Sequence, residues 1–406
     1  MRHLFRDRRV AQLPPRTLLV ITVLATLGLS VLVLGVVRLS ATGLAGSSHG
    51  PGDFPAQHGD QAGLEVTDPV LTALEGILRE QGIAAALQHL ETQSAANPGV
   101  RRLEHHYAIA VGQLSYTQTN DVAESFRLCG AALDTGCYHG VMEAFMASTP
   151  RLTREAVARL CDGAPIAAET PVARIQCVHG VGHGLAHASG GRVQDALATC
   201  DGFGTDQDRA ACYSGVFMQV IEETDERPNP DPFASAPGLP DPFAECTALA
   251  ERYQRACYVQ QTTALLAVNG EDVPAAFTTC DQVPVAYTVP CYQGVGAWIS
   301  IFTHWDPGQT STLCQLASLP FRPWCLDGAV AGMASGHATA DRSMALCRST
   351  SSDLRSFCFE AIGERIPLLY AGRAAQERAC ELAQDPAWIQ ICWFSAGLSP
   401  PVLEAG

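Results

Sequence analysis

Sixteen cysteines fall in eight pairs between residues 129 and 392, and their spacing limits the fold of this chain more than any other feature. The pairs are Cys129 with Cys137, Cys161 with Cys177, Cys200 with Cys212, Cys246 with Cys257, Cys280 with Cys291, Cys314 with Cys325, Cys347 with Cys358, and Cys380 with Cys392. From Cys246 onward the first member recurs every 33 or 34 residues, which is a repeat period. No CxxC pair occurs, so zinc ribbons, thioredoxin-like redox sites and c-type haem attachment all lack their spacing. An even number of cysteines in an oxidising compartment reads instead as disulfides, each joining near neighbours within one repeat.

The second cysteine of each pair is always followed by a large apolar residue: Tyr138, Val178, Tyr213, Tyr258, Tyr292, Leu326, Phe359 and Trp393. One register repeated through all eight units predicts a buried position. Three residues after the second cysteine a glycine recurs, as Gly140, Gly180, Gly215, Gly294 and Gly328. Glycine inside a helix costs about 1 kcal/mol relative to alanine, so its return at one register predicts close approach of a neighbouring helix. The segments between cysteine pairs read as two helices and a turn, as in CYVQQTTALLAV, NGED and VPAAFTTC. There Asn269-Gly270 is a helix stop and the acids after it a helix start. Two irregularities stand out, a longer interval between Cys161 and Cys177 and a proline-rich stretch over 227–243 that replaces part of a hairpin. Long loops of this kind often lie on the binding side of repeat proteins.

A period near 34 residues with two helices and one cysteine pair per unit resembles the SEL-like and tetratricopeptide superfamily of helical repeats. The likeness is closest to the exported bacterial members that carry a disulfide in each repeat. The resemblance is one of architecture and covers about residues 70–400. It implies an all-α fold, an α/α superhelical solenoid of disulfide-linked hairpins, which binds a protein or peptide partner. It implies no catalytic residue.

The N-terminus reads as a membrane anchor. Arg2, Arg6, Arg8 and Arg9 precede an uncharged apolar run over 17–37, flanked by Arg16 and Arg38. A helix of that length spans about 30 Å, the thickness of a bilayer's hydrocarbon core. A cleaved signal peptide is the competing reading, but its apolar stretch is shorter and ends at a clearer small-residue site. The arginines place residues 1–16 in the cytoplasm and the remainder outside it, in a bacterial cell membrane with the C-terminal body extracytoplasmic. Residues 38–69, rich in Gly, Ser, Pro, His and Gln, form a flexible linker, and 70–400 form the repeat domain. Cutting off the anchor removes six arginines and only Asp7 from a chain whose formal charge is already −15. So acidic a body repels phosphate backbones, which excludes nucleic acid as a partner.

Histidines are the feature that the repeat does not explain. In CVHGVGHGLAH, His179, His183 and His187 fall at i, i+4 and i+8, on one stripe of a helix. Alignment on the second cysteine puts His139 at the register of His179 and Glu143 at that of His183. The same alignment brings His106 of LEHHYA to the equivalent place one repeat earlier. Adjacent helices pack about 8–10 Å apart, so imidazoles at one register can converge on a shared ion, for which zinc or copper is suited. His179 and His187 are about 12 Å apart along the axis, so two of the three with His139 or Glu143 make the sharper ligand set. The plainer reading is a tightly packed helix whose imidazoles bond to backbone or water. HxxxH without the adjoining glutamate lacks the general base of a zinc protease. His304 and His337 lie at other offsets and carry no assigned role. No phosphate loop, nucleophile elbow or catalytic set emerges. The expected function is therefore a membrane-anchored scaffold for a protein or peptide, with a metal-binding protein or metalloenzyme at the histidine cluster as the alternative.

Overall fold

A computed structural model describes residues 68–129, 136–149, 152–162, 170–190, 192–225, 243–268 and 271–398, and the regular elements among them are all helical. The first, α1 (Pro69–Gln81), starts where the Asp68 side chain accepts hydrogen bonds from the amides of Val70 and Leu71. That is within a residue of the start expected for the body. Then come α2 (Ile83–Ala96), the short α3 (Pro98–Arg102) and α4 (Glu104–Thr119), none of which carries a cysteine. No helix among the described residues is long and apolar enough to cross a membrane. The expected anchor at 17–37 lies outside them, as do 1–16 and the linker up to 67.

Eight disulfide-linked helical hairpins follow, each with a short helix leading to the first cysteine and a longer one bearing the second. The first two pair α5 (Val122–Cys129) with α6 (Gly136–Ser148) and α7 (Arg154–Arg159) with α8 (Pro171–Ala188). The next two pair α9 (Val193–Cys200) with α10 (Asp206–Asp225) and α11 (Ala244–Ala248) with α12 (Glu251–Val268). Then α13 (Val273–Cys280) pairs with α14 (Val285–Phe302) and α15 (Pro307–Cys314) with α16 (Arg322–His337). The last two pair α17 (Asp341–Ser349) with α18 (Arg355–Leu369) and α19 (Arg373–Glu381) with α20 (Pro386–Ser395). All eight expected bridges form, including the tight Cys129–Cys137, and no cysteine is free. Their Cα–Cα separations run from 5.3 to 5.9 Å, inside the range a disulfide spans. The expected helix start after residue 270 is also present, with the Asp272 side chain accepting from the Ala275 amide. Residues 227–242 of the proline-rich stretch lie outside the described residues.

Burial follows the cysteine register. The apolar residue after the second cysteine is buried in seven of the eight hairpins, from Tyr138 to Phe359. Trp393 alone is only partly covered, and it lies on α20, beyond which no further helix stacks among the described residues. The ring after the second cysteine meets one from the start of the next long helix. Tyr213 meets Tyr253, Tyr258 stacks on Tyr287, Tyr292 on Phe321 and Phe359 on Trp388, with centroids 4.4–5.6 Å apart. These aromatic contacts add roughly 0.5–1.5 kcal/mol each beyond their burial.

Glycine brings certain helices into backbone contact. A Cβ on Gly140 would lie 1.9 Å from the carbonyl oxygen of Ile109, and one on Gly112 would lie 2.0 Å from that of Cys137. The same reciprocal pairing joins Gly182 with Gly215 and Gly296 with Gly328, so α4 and α6, α8 and α10, and α14 and α16 form close pairs. The even-numbered helices from α4 to α20 each pack on the next in one row. That row turns back on itself: α8 also packs against α18, and Gln176 donates from Nε2 to the Ser335 carbonyl oxygen at 2.9 Å.

A candidate metal centre between α6 and α8

The sequence HGVGHG places glycines on two faces of α8. Gly184 faces α6, where a Cβ would lie 2.7 Å from the Met142 carbonyl oxygen, and Gly182 faces α10, where it would lie 2.2 Å from that of Cys212. Helix α8 can therefore approach both neighbours at once, and the imidazoles between these glycines are pressed into the interface. His139 on α6 stacks on His183 of α8 with ring centroids 3.9 Å apart, and the His179 ring lies 5.0 Å from both. His183 is 0 % exposed and His139 1 %, while His179 is partly exposed.

One ring nitrogen from each of His139, His179 and His183 can be chosen so that all three lie within 4.8 Å of one another. The Nε2 atoms of His179 and His183 are 3.3 Å apart. Two nitrogens bound at about 2.0–2.1 Å to one tetrahedral zinc ion are separated by about 3.3–3.4 Å, so this pair already has the spacing of two ligands of one ion. Burial, then the charges that His183, His179 and His105 would carry, holds the His139 imidazole well below its ordinary pKa, so it is neutral. Neutral imidazole is the form that binds metal.

Neighbouring helices orient these rings. His183 Nδ1 lies 2.7 Å from Gln219 Oε1 on α10, so Nδ1–H donates there and Nε2 is the nitrogen turned toward His179. Glu143, only 3 % exposed, has Oε1 3.8 Å from the same Nδ1 and accepts from Gln113 Nε2 of α4 through Oε2 at 2.8 Å. The carboxylate therefore stands on the Nδ1 side of His183 and fits an orienting role better than a place among the three converging nitrogens. Three converging imidazoles with a carboxylate behind them suit zinc or copper.

Not every expected histidine joins the cluster. His187 is exposed, about one turn beyond His183 along α8. At the other end it is His105, not His106, whose ring meets His139, at 5.0 Å, while the His106 ring lies 6.5 Å from that of His105. The reason is one of register. Helix α4 has no cysteine, and its contact through Gly112 sets Tyr107 at the position the second cysteine holds elsewhere. On that register Gln113 falls level with Glu143 and His183, and the ladder's position belongs to Ile109 and not to His106. Gly112 was the sequence signal that could have fixed this. Gln219 escaped notice because it lies one residue beyond the same register in α10.

No known family, curated protein or solved structure matches this chain.

Proposed function

We propose that this chain is a metal-binding protein that holds one zinc or copper ion between α6 and α8, with His139, His179 and His183 as its ligands. The observation that carries this reading is the convergence of three imidazole nitrogens from two adjacent helices within 4.8 Å. Gln219 and Glu143 set the ring of His183, and His105 adds a fourth imidazole on the far side of His139. The burial of His139 and His183 favours holding an ion over turning over a bulky substrate. The test is elemental analysis of the full-length chain after loading with zinc or copper(I) and removal of excess ion. The expected result is about one ion per chain, lost in His139→Ala and in His183→Ala and kept in His187→Ala. A parent chain without stoichiometric metal overturns the reading.

The body is proposed to lie outside the cytoplasm, tethered to a bacterial membrane by residues 17–37, and the eight disulfides support that placement. Protease added to intact cells should remove the body if it is exported and leave it whole if it is internal.

A second reading, an α-solenoid scaffold for a protein or peptide partner, is supported by the unbroken row of long helices from α4 to α20. The two readings are compatible, and a partner bound equally by the parent and His139→Ala chains would separate them.

A further inference from the structure

Not every interface in the row follows the glycine rule, for at its register α18 carries Ala361 and α20 carries Ser395. At the place where α6, α8, α10, α14 and α16 carry glycine, α12 carries Gln260, and its Nε2 donates to Ser214 Oγ of α10 at 2.5 Å. A glutamine cannot allow the backbone contact that glycine does, and α10 packs less extensively on α12 than on α8. A cavity of about 660 Å³ opens at this interface, well within the usual size of a small-molecule site.

Arg209, Arg252 and Arg255 all line that cavity, in a chain whose net charge is −15. Their partners differ in strength. Arg252 pairs with Asp201 at 3.1 Å, and Asp201 also accepts from the hydroxyls of Tyr213 at 2.5 Å and Tyr253 at 2.8 Å. Burial alone would raise the Asp201 carboxyl, yet the hydrogen bonds from Tyr213, Tyr253 and Arg252 outweigh it and hold the group below its ordinary value. That carboxylate is fixed and neutralises Arg252. Arg209 donates from Nη1 to the Phe203 carbonyl oxygen at 2.6 Å, and its Nη2 pairs with Asp206, which is 99 % exposed; an ion pair that open to water contributes about 0–1 kcal/mol and is readily exchanged. Among the described residues Arg255 donates to the neutral amide oxygen of Gln293, at 2.7 Å, and pairs with no carboxylate. Ala210, Ala256 and Val259 supply apolar wall between these heads.

We infer that the cavity between α10 and α12 binds a small organic anion, with one carboxylate or phosphate head held by Arg209 and Arg255 and a compact apolar body against Ala210, Ala256 and Val259. Guanidinium stays charged at every accessible pH and presents a planar fork that matches both head groups. The site is separate from the histidine cluster, and its ligand need not be bound together with metal.

Calorimetric titration of the full-length chain tests this with benzoate, phenyl phosphate and uncharged benzyl alcohol as probes. At least one of the two anions should bind saturably, benzyl alcohol should not, and the tighter anion identifies the head group. Arg255→Gln should weaken binding tenfold or more. Ala210→Phe, a change at an exposed position that fills the cavity, should abolish it. His139→Ala should leave it unchanged. Absence of saturable binding by both anions overturns the inference, as does equal binding by the parent, Arg255→Gln and Ala210→Phe chains.

Discussion

Gln219 of α10 accepts a hydrogen bond from Nδ1 of His183 on α8, at 2.7 Å, so the helix after the one that carries this imidazole decides which of its nitrogens faces the cluster. Outer-sphere partners of this kind commonly change metal affinity by about 10–100-fold when removed. Gln219→Leu should therefore weaken zinc or copper binding by that factor without changing the stoichiometry, as read by competition with a chromophoric chelator. Unchanged affinity would show that the tautomer is set elsewhere.

Glycine substitutions should divide sharply by position. A Cβ on Gly328 would lie 1.9 Å from the Gln293 carbonyl oxygen, so Gly328→Ala forces α14 and α16 apart and should cost about 1–3 kcal/mol or more. Gly76, on α1, has nothing within 4 Å of the same added atom. Gly76→Ala should stabilise the chain by about 0.5–1 kcal/mol through helix propensity alone. Denaturant unfolding of the two variants checks both signs.

Removal of a bridge should act mainly through the unfolded chain. Cys314 and Cys325 are separated by 11 residues, and closing a loop of that size contributes about 3 kcal/mol in the chain-entropy account. The Cys314→Ser, Cys325→Ser double variant should melt at a lower temperature and keep its helical circular dichroism below the transition. Loss of helicity at low temperature would mean that the bridge is needed to form the hairpin at all.

Acid should loosen the C-terminal half through His337. Burial, followed by the charge of Arg342, lowers its pKa to about 4, and its ring lies edge-on to Trp305 with centroids 4.9 Å apart. Between about pH 6.5 and 4 the unfolded state gains a proton that the native state refuses, so stability falls as pH falls through that window and levels off below it. Partial solvation reduces the full linkage, leaving an expected loss of about 1–2 kcal/mol. His337→Gln should flatten this limb of the stability profile relative to the parent.

Much of the architecture was legible because a covalent mark repeats in the sequence. The cysteines fix the register, and from it follow the hairpins, the buried residues from Tyr138 to Phe359 and the close contacts at Gly140, Gly215, Gly294 and Gly328. The meeting of His139 with His179 and His183 was legible for the same reason, since all three are counted from a cysteine. Where the mark is missing, so is the register: without a cysteine in α4, nothing in the pattern shows that Ile109 holds the ladder's position and that His105 reaches His139 from outside it. The contact of α8 with α16 and α18 leaves no periodic trace, because it joins Gln176 to a backbone oxygen 159 residues away. The arginine-lined cavity was equally hidden. Gln260 is plain in the sequence, but its effect depends on the distance between two helices that no local pattern states.

That contact also limits how such a chain can evolve. An array with free ends can gain or lose a unit by unequal recombination and remain a working array. In this one, deleting a single hairpin between α8 and α16 would carry Ser335 one step away from Gln176 and leave the meeting of α8 with α18 out of register. The number of units between these contacts should therefore be held constant, with length variants counter-selected there and tolerated beyond α18.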